Sequence, residues 1–240
     1  MKNKPKFKKY QSRSAGYHWD QISKHPIKRN AFVLARYKNV ISLLGKTKNE
    51  AVLDLGCGDG VLSYLLYEKG LKVSGIDLSE EAIEFAKNKT NNRIEFKVGS
   101  VYHLPWEDNS FDIVLSSDVI EHLEDVSQYL KEIKRVLKPN GKCVISTPIR
   151  ITEIPLDTEH VVEWFENEYR DLINNKFPGS SFYKSHPIIF MEMMNSVYFK
   201  KQWVRFFINL LSIFGINIFQ TFKSKFRYFA LQYSVSINKV

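Results

Sequence analysis

An α/β fold, doubly wound around a mostly parallel sheet, is what this chain predicts, and three observations carry the prediction. From Glu50 onward, short apolar runs alternate with amphipathic stretches of helical period, the pattern of strands linked by helices that cover both faces of a sheet. The first run, Ala51-Val52-Leu53-Asp54-Leu55, leads into Gly56-Cys57-Gly58-Asp59-Gly60 and then Val61-Leu62-Ser63-Tyr64-Leu65-Leu66. That is a buried strand, a tight turn and the first turn of a helix. The next run, Leu71 to Asp77, closes on an acid 17 residues after Gly60. In such sheets ligands sit at the carboxyl ends of the strands.

Residues 1–13 are rich in lysine with little to bury and read as a disordered basic tail. Residues 14–49 read as an N-terminal helical lid, with Trp19, Ile22, Ala31, Leu34, Ala35, Val40, Leu43 and Leu44 at helix-like spacing and a break at Pro26. Tyr17, His18 and Trp19 either cover the ligand or simply pack. Residues 50–240 form the main domain. Ser79 followed by Glu80 and Glu81 starts a helix as a capping serine and early acids should. Arg93–Val98 alternates as a third strand, and Phe111–Ser116 is a fourth. Val126–Leu137 is an amphipathic helix stopped by Lys138-Pro139-Asn140-Gly141, and Lys142–Ser146 is the fifth strand. Glu166–Asn174 is a short helix, Phe177–Tyr183 a sixth strand and Phe229–Asn238 the last, with an aromatic-rich insertion at about 188–225.

With 240 residues and 44% apolar content, the chain can bury one good core. Cys57 and Cys143 lack metal or disulfide spacing and read as reduced thiols. No apolar segment follows the lysine-rich start, so a secretory signal is not expected. The net charge of +9 is uneven: residues 1–50 carry 13 Lys and Arg against 2 acids, 51–183 carry 14 against 23, and 184–240 carry 8 against 1. Basic ends on an acidic centre suit a membrane surface, a nucleic acid or a charged glycan, or are ordinary solvated surface.

The glycine turn exposes backbone N–H groups at a helix start, and the acid at position 77 stands where a ribose presents its hydroxyls, so the unit reads as a nucleoside site. Asp54 followed by Gly-x-Gly-x-Gly resembles the S-adenosylmethionine (SAM) signature of class I methyltransferases rather than a pyrophosphate turn. Leu104-Pro105, Ser110-Phe111-Asp112, Glu121-His122-Leu123 and Leu137-Lys138-Pro139-Asn140-Gly141 extend that resemblance over residues 51–147. It implies a Rossmann-like, seven-stranded sheet in the order 3-2-1-4-5-7-6. It also implies that Asp54, Gly56, Cys57, Gly58 and Gly60 line the methionine part of SAM, that Asp77 accepts from the ribose diol, and that Leu78, Ser100, Val101 and Ser117 complete the cofactor wall. One departure matters: Gly99-Ser100 stands where the family usually has Gly-Asp. The contact to the adenine amino group then falls to a hydroxyl, a backbone group or water, with Val101 and Tyr102 flanking the ring.

Methyl transfer from a sulfonium is an in-line displacement in which positioning supplies most of the catalysis. A base is required only for a weak nucleophile such as an alcohol. Asp118, Glu121 and His122 follow strand four and would sit beside the methyl. With His160 ahead of the Glu166 helix, they resemble the metal site of small-RNA 3′-terminal 2′-O-methyltransferases and quinone-precursor O-methyltransferases. Asp118 stands where Glu is commoner. Three readings stay open: a divalent ion on Asp118, Glu121, His122 and His160; a metal-free site in which His122, Glu121 and His160 act on the acceptor; and a structural helix-start role. The metal-free reading is adopted.

In the insertion, Lys201, Arg205, Asn209 and Ser212 fall on one helical stripe and leave a broad apolar face. Arg205, Asn209, Gly215, Asn217 and Gln220 interrupt too short a run for a membrane span. Residues 198–227 then either contact a membrane or a lipid-linked substrate peripherally, or pack on the sheet or across a dimer. The reading adopted is a cytoplasmic enzyme, membrane-associated if that contact forms. It transfers a methyl group from SAM to an oxygen of a small-molecule, glycan or lipid-linked acceptor. The alternatives are a metal-assisted RNA 3′-end methyltransferase, which requires nucleic-acid binding, and a catalytically idle SAM-binding partner protein.

Overall fold

The computed structural model describes residues 15–153, 157, 159–195, 201–220 and 228–239. The tail expected over 1–13 and the basic stretch Lys223–Arg227 lie outside them. Two helices come first, α1 (Tyr17–Gln21) and α2 (Ala31–Leu43). The sheet then alternates with helices: β1 (Ala51–Leu55), α3 (Val61–Tyr67), β2 (Lys72–Asp77), α4 (Glu80–Lys89), β3 (Glu95–Val98) and β4 (Phe111–Ser117). A 3₁₀ turn at Ile120–His122 leads to α5 (Val126–Val136), β5 (Leu137–Pro148), α6 (Glu166–Lys176) and β6 (Ser181–Pro187). The insertion supplies α7 (Ile188–Asn195) and α8 (Lys201–Ile213) before β7 (Phe229–Ile237).

The seven strands form one sheet in the order β3-β2-β1-β4-β5-β7-β6, as expected. Only β7 runs antiparallel to its neighbours, β5 and β6. Alternate residues of the central strands feed two cores: Val52, Ile113 and Leu115 point to α2, α3 and α4, while Leu53, Leu55 and Val114 point to α5 and α6. A period of two thus buries both faces of β1 and β4, which is why they read as unbroken apolar runs. The Ser79 cap is the one the sequence marks, and Asn30, not read from the sequence, caps α2 in the same way. The Ser79 hydroxyl accepts from Ala82 N at 3.2 Å, and Asn30 Oδ1 accepts from Phe32 N at 3.1 Å at the start of α2.

Three expectations need correction. Strand five begins at Leu137, paired to Phe111, and the expected stop at Lys138–Gly141 is an irregularity inside it: the register shifts between Phe111 and Ile113, and Asn140 has φ 61°. Strand six is displaced from 177–183 to Ser181–Pro187. Phe177, read as a strand residue, is buried at the end of α6, and Gly179 (φ 79°) turns the chain before pairing with β7 begins. The third correction concerns α8, where the second half of the polar stripe turns inward. Asn209 and Ser212 are buried, whereas Trp203, Phe207, Leu211 and Phe214 are exposed. Among the described residues no helix is long and apolar enough to cross a membrane.

Candidate active site

The cleft opens at the carboxyl ends of β1, β2 and β4 and is walled by the glycine turn. Gly56 has φ 64°, and a Cβ there would lie 2.5 Å from Val119 Cγ2, so no other residue fits. The turn is laced to the tip of β2. Cys57 N donates to Ile76 O at 3.0 Å, Gly58 N donates to Asp77 Oδ2 at 2.9 Å, and Ser79 N donates to Asp77 Oδ1 at 2.9 Å. Asp77 therefore both edges the cleft and braces its floor.

Of the expected cofactor residues, Asp54, Gly56, Cys57, Gly58, Asp77, Leu78, Val101 and Ser117 line the cleft. Gly60 and Ser100 do not. Gly60 (φ 79°) precedes the first residue of α3, where a Cβ would come within 2.8 Å of Ala86 Cβ and 2.9 Å of the Phe96 ring, so glycine is needed there for packing. The Ser100 hydroxyl accepts from Tyr102 N at 3.2 Å, closing a local turn.

The N-terminal helix α1 is pinned to the same turn. Asp59, buried inside it, accepts from His18 N at 3.0 Å and meets His18 Nδ1 at 3.1 Å. Its carbonyl accepts from Trp19 Nε1 at 2.8 Å, and Trp19 packs on Tyr64 with ring centroids 5.0 Å apart. His18 lines the cleft while Trp19 packs, so the two readings of this segment divide between neighbouring residues. Sequence reading missed Arg36, Tyr37 and Leu62, which also line the cleft. Arg36 had a visible signal as the one charge among Ala31-Phe32-Val33-Leu34-Ala35-Arg36-Tyr37.

Arg36 donates to Asp118 Oδ2. Burial works most strongly to lower the guanidinium's pKa, but the Asp118 charge together with Tyr37 and Tyr233 outweighs it and holds the pKa above its ordinary value. Asp118 sits at φ 54° just beyond β4, its second oxygen accepting from Ser146 Oγ at 3.0 Å. Asp118 thus pairs with Arg36 and Ser146 and is not among the three residues whose ligand atoms cluster, Glu121, His122 and His160.

The other three residues of that set do meet. One ligand atom from each of Glu121, His122 and His160 lies within 4.8 Å of the others, and the imidazole centroids are 4.9 Å apart. The approach is made by backbone pairing, since Val161 N and Val162 N donate to Glu121 O at 2.8 and 3.1 Å. His122 Nδ1 faces Glu159 O at 3.1 Å, and a carbonyl only accepts, so the proton is assigned to Nδ1 and the lone pair to Nε2. His160 Nδ1 is fixed by Glu163 Oε1 at 2.6 Å. His122 lines the cleft, whereas Glu121 is buried behind it, accepting from Thr147 Oγ1 at 3.1 Å. Burial pushes the Glu121 carboxyl pKa well up, helped by the Asp118 charge.

At the floor, burial raises the Asp54 pKa from 3.8 to about 7, against the hydrogen bond from Ser63 Oγ at 2.6 Å. The cleft thus offers bare backbone and a buried acid at one end, a diol-sized carboxylate on one edge and apolar Leu78, Val101 and Leu123 beyond. These groups fit a ligand with a cationic end, a ribose and a flat ring.

Residues 46–209 match a family described as a methyltransferase domain. The chain is 35% identical over 127 residues to a "Probable S-adenosylmethionine-dependent methyltransferase" of Mycolicibacterium smegmatis, covering 51% of this chain and 49% of that protein. It is 39% identical over 103 residues to the ubiquinone biosynthesis O-methyltransferase of Pelagibacter ubique, covering 42% of each. The matched part thus spans half or less of these relatives' length. Among solved structures, Haemonchus contortus phosphoethanolamine N-methyltransferase 2 in complex with SAM superimposes with a TM-score of 0.67 at 17% identity, covering 98% of this chain and 60% of that one. At that identity the likeness establishes the fold.

Proposed function

The chain belongs to the methyltransferase domain family, and from that premise we propose that this SAM-dependent enzyme delivers its methyl group to an oxygen of a small-molecule, glycan or lipid-linked acceptor. The observation that carries the reading is the His122 imidazole at the cleft wall, its Nδ1 held by Glu159 O. The resemblance to the ubiquinone-pathway O-methyltransferase supports it.

SAM supplies an activated methyl on a sulfonium. The Gly56–Gly58 backbone and Asp54 would hold its methionine end, Asp77 would accept from the ribose diol, and Leu78 and Val101 would wall the rest, Tyr102 standing outside the cleft lining. His122 Nε2 would take the proton of the acceptor hydroxyl, leaving that oxygen free to accept the methyl. Glu163 keeps His160 oriented beside the His122 ring.

Replacing His122 by alanine is expected to lower kcat by roughly 10²–10⁴, the range for lost general-base catalysis, while SAM affinity stays near wild type. The measurement is S-adenosylhomocysteine formation across a panel of phenols, sugars and prenylated hydroxyl compounds. A methyl found on nitrogen or carbon, or full turnover by the variant, overturns the reading.

Asp54 makes cofactor binding pH-dependent. Its raised pKa means the folded apo protein holds a proton the unfolded chain loses near 3.8, so the associated stability is present at low pH and lost as pH rises through about 7. A cationic ligand favours the ionised acid, so SAM affinity should rise with pH up to about 7 and then level off. Asp54→Asn should flatten that dependence, stabilise the apo protein at alkaline pH and weaken SAM. Titration calorimetry in buffers of different ionisation enthalpy reads the released proton directly.

A second reading has its own observation: Glu121 Oε1 is buried with no hydrogen-bond partner. Glu121, His122 and His160 together offer a divalent cation one carboxylate and two imidazole ligands, and an ion held there would lower the pKa of an acceptor hydroxyl. Full turnover in chelator removes this version and leaves the metal-free one.

A further inference from the structure

A second cavity, of about 940 Å³, shares no lining residue with the cofactor cleft and lies between α1, the Pro26–Asn30 segment, α7 and α8. Hydrogen bonds hold its walls together. Asn209 Oδ1 accepts from Ala31 N at 3.0 Å, and its Nδ2 donates to Pro26 O at 3.0 Å and Arg29 O at 2.5 Å. Tyr17, Phe32, Trp203 and Phe206 give it flat apolar surfaces. That volume is in the range of small-molecule sites.

Two buried polar groups in the wall are incompletely matched by the protein. Arg29 is 9% exposed. Its guanidinium donates to Ser212 Oγ at 2.6 Å, Ser212 O at 3.2 Å, Ser23 O at 2.7 Å and Ile22 O at 3.3 Å, all neutral oxygens. A guanidinium has five donors, so one is left over. Arg36 at the cofactor cleft, by contrast, is paired with Asp118. No Asp or Glu lines the second cavity. None occurs among residues 1–14, 154–156, 158, 196–200, 221–227 and 240, which lie outside the described residues. Lys28 and Arg205 line the same space and add to its positive charge. The second group is Gln21, 5% exposed, whose Oε1 has no hydrogen-bond partner among the described residues. A buried charge without a counter-charge and a buried acceptor without a donor each cost stability until something fills them.

We propose that this cavity binds a small molecule bearing a carboxylate or phosphate on a flat apolar body, with the anion against Arg29 and a hydroxyl donating to Gln21 Oε1. Charge selects the class, because a neutral or cationic occupant would leave the Arg29 guanidinium without a counter-charge. A planar guanidinium also matches the oxygens of either anion. The aromatic walls select a flat body over a bare ion. The site adjoins the chemistry: Tyr17 precedes His18 on α1, and Phe32 stands one turn before Arg36 on α2, while His18 and Arg36 line the cofactor cleft. The proposal does not rest on the acceptor chemistry given above.

The test is titration calorimetry on the full chain, with and without saturating S-adenosylhomocysteine. The probes are a hydroxynaphthoate and a hydroxynaphthyl phosphate, which separate carboxylate from phosphate recognition, with the uncharged dihydroxynaphthalene as control. At least one anionic probe is expected to bind about tenfold or more tighter than the control, the worth of a hydrogen bond to a charged group. Arg29→Met should abolish that preference and Arg29→Lys should keep part of it, each still binding S-adenosylhomocysteine, which certifies the fold. If Arg29→Met does not fold, Gln21→Met provides the comparison. It should weaken the preferred probe by about threefold or more while leaving the empty protein at least as stable as wild type, since a buried acceptor without a partner is removed. The proposal is overturned if neither anionic probe binds at millimolar concentration, if the uncharged control binds as tightly, or if the folded variants bind like wild type. A probe displaced by S-adenosylhomocysteine occupies the cofactor cleft and also overturns it.

Discussion

Asp77→Ala is expected to weaken SAM by about one to two orders of magnitude. A hydrogen bond to a charged group is worth about 1.5–3 kcal/mol, and each 1.4 kcal/mol is about a factor of ten in affinity. The effect reaches beyond the lost ribose contact, because the same carboxylate holds Gly58 N and Ser79 N, and its loss leaves the floor of the cleft unbraced. Asp77→Asn keeps one acceptor oxygen for that lacing and should fall between alanine and wild type. Calorimetry with SAM and with S-adenosylhomocysteine measures both variants. If Asp77→Ala binds either ligand within threefold of wild type, Asp77 has no part in ribose recognition.

The second large effect concerns the Arg36–Asp118 ion pair. The Arg36 and Asp118 side chains are only 11 and 17% exposed, so removing one charge leaves the other buried without compensation. Asp118→Asn retains a side chain that tolerates φ 54° and can still bond Ser146, changing little but the charge. It is expected to destabilise the protein by about 3 kcal/mol, the lower part of the range for breaking a buried pair. Arg36→Met together with Asp118→Asn should restore much of that loss, because no unpaired charge remains. Urea unfolding of the two single variants and the double closes the cycle. Strictly additive effects would show that the two charges do not act as a pair.

Much of this architecture was legible from local pattern. The alternation from Glu50 onward, the Ser79 cap and the glycine turn each encode their element within a few residues, and the sheet order expected from the family resemblance is the one observed. Legibility failed where distant chain decides. Phe177 satisfies strand and helix patterns equally, and only pairing with β7 fixes where β6 starts. The stripe Lys201, Arg205, Asn209, Ser212 was readable as polar, but the inward direction of Asn209 and Ser212 depends on the donors and acceptors of Pro26–Ala31, some 180 positions away. Arg36 and Asp118 are 82 positions apart, and no periodicity in either segment announces their meeting.

By itself, then, the order of residues determined the doubly wound sheet, the glycine floor and the acid at position 77, because strands, turns and caps follow from backbone sterics and short-range hydrogen bonds. Tertiary structure alone decided that Asp118 belongs to Arg36 and that the aromatic face of α8 looks outward. Each is a choice between partners of similar chemistry, settled by which buried polar groups must be paired once the chain has closed on itself.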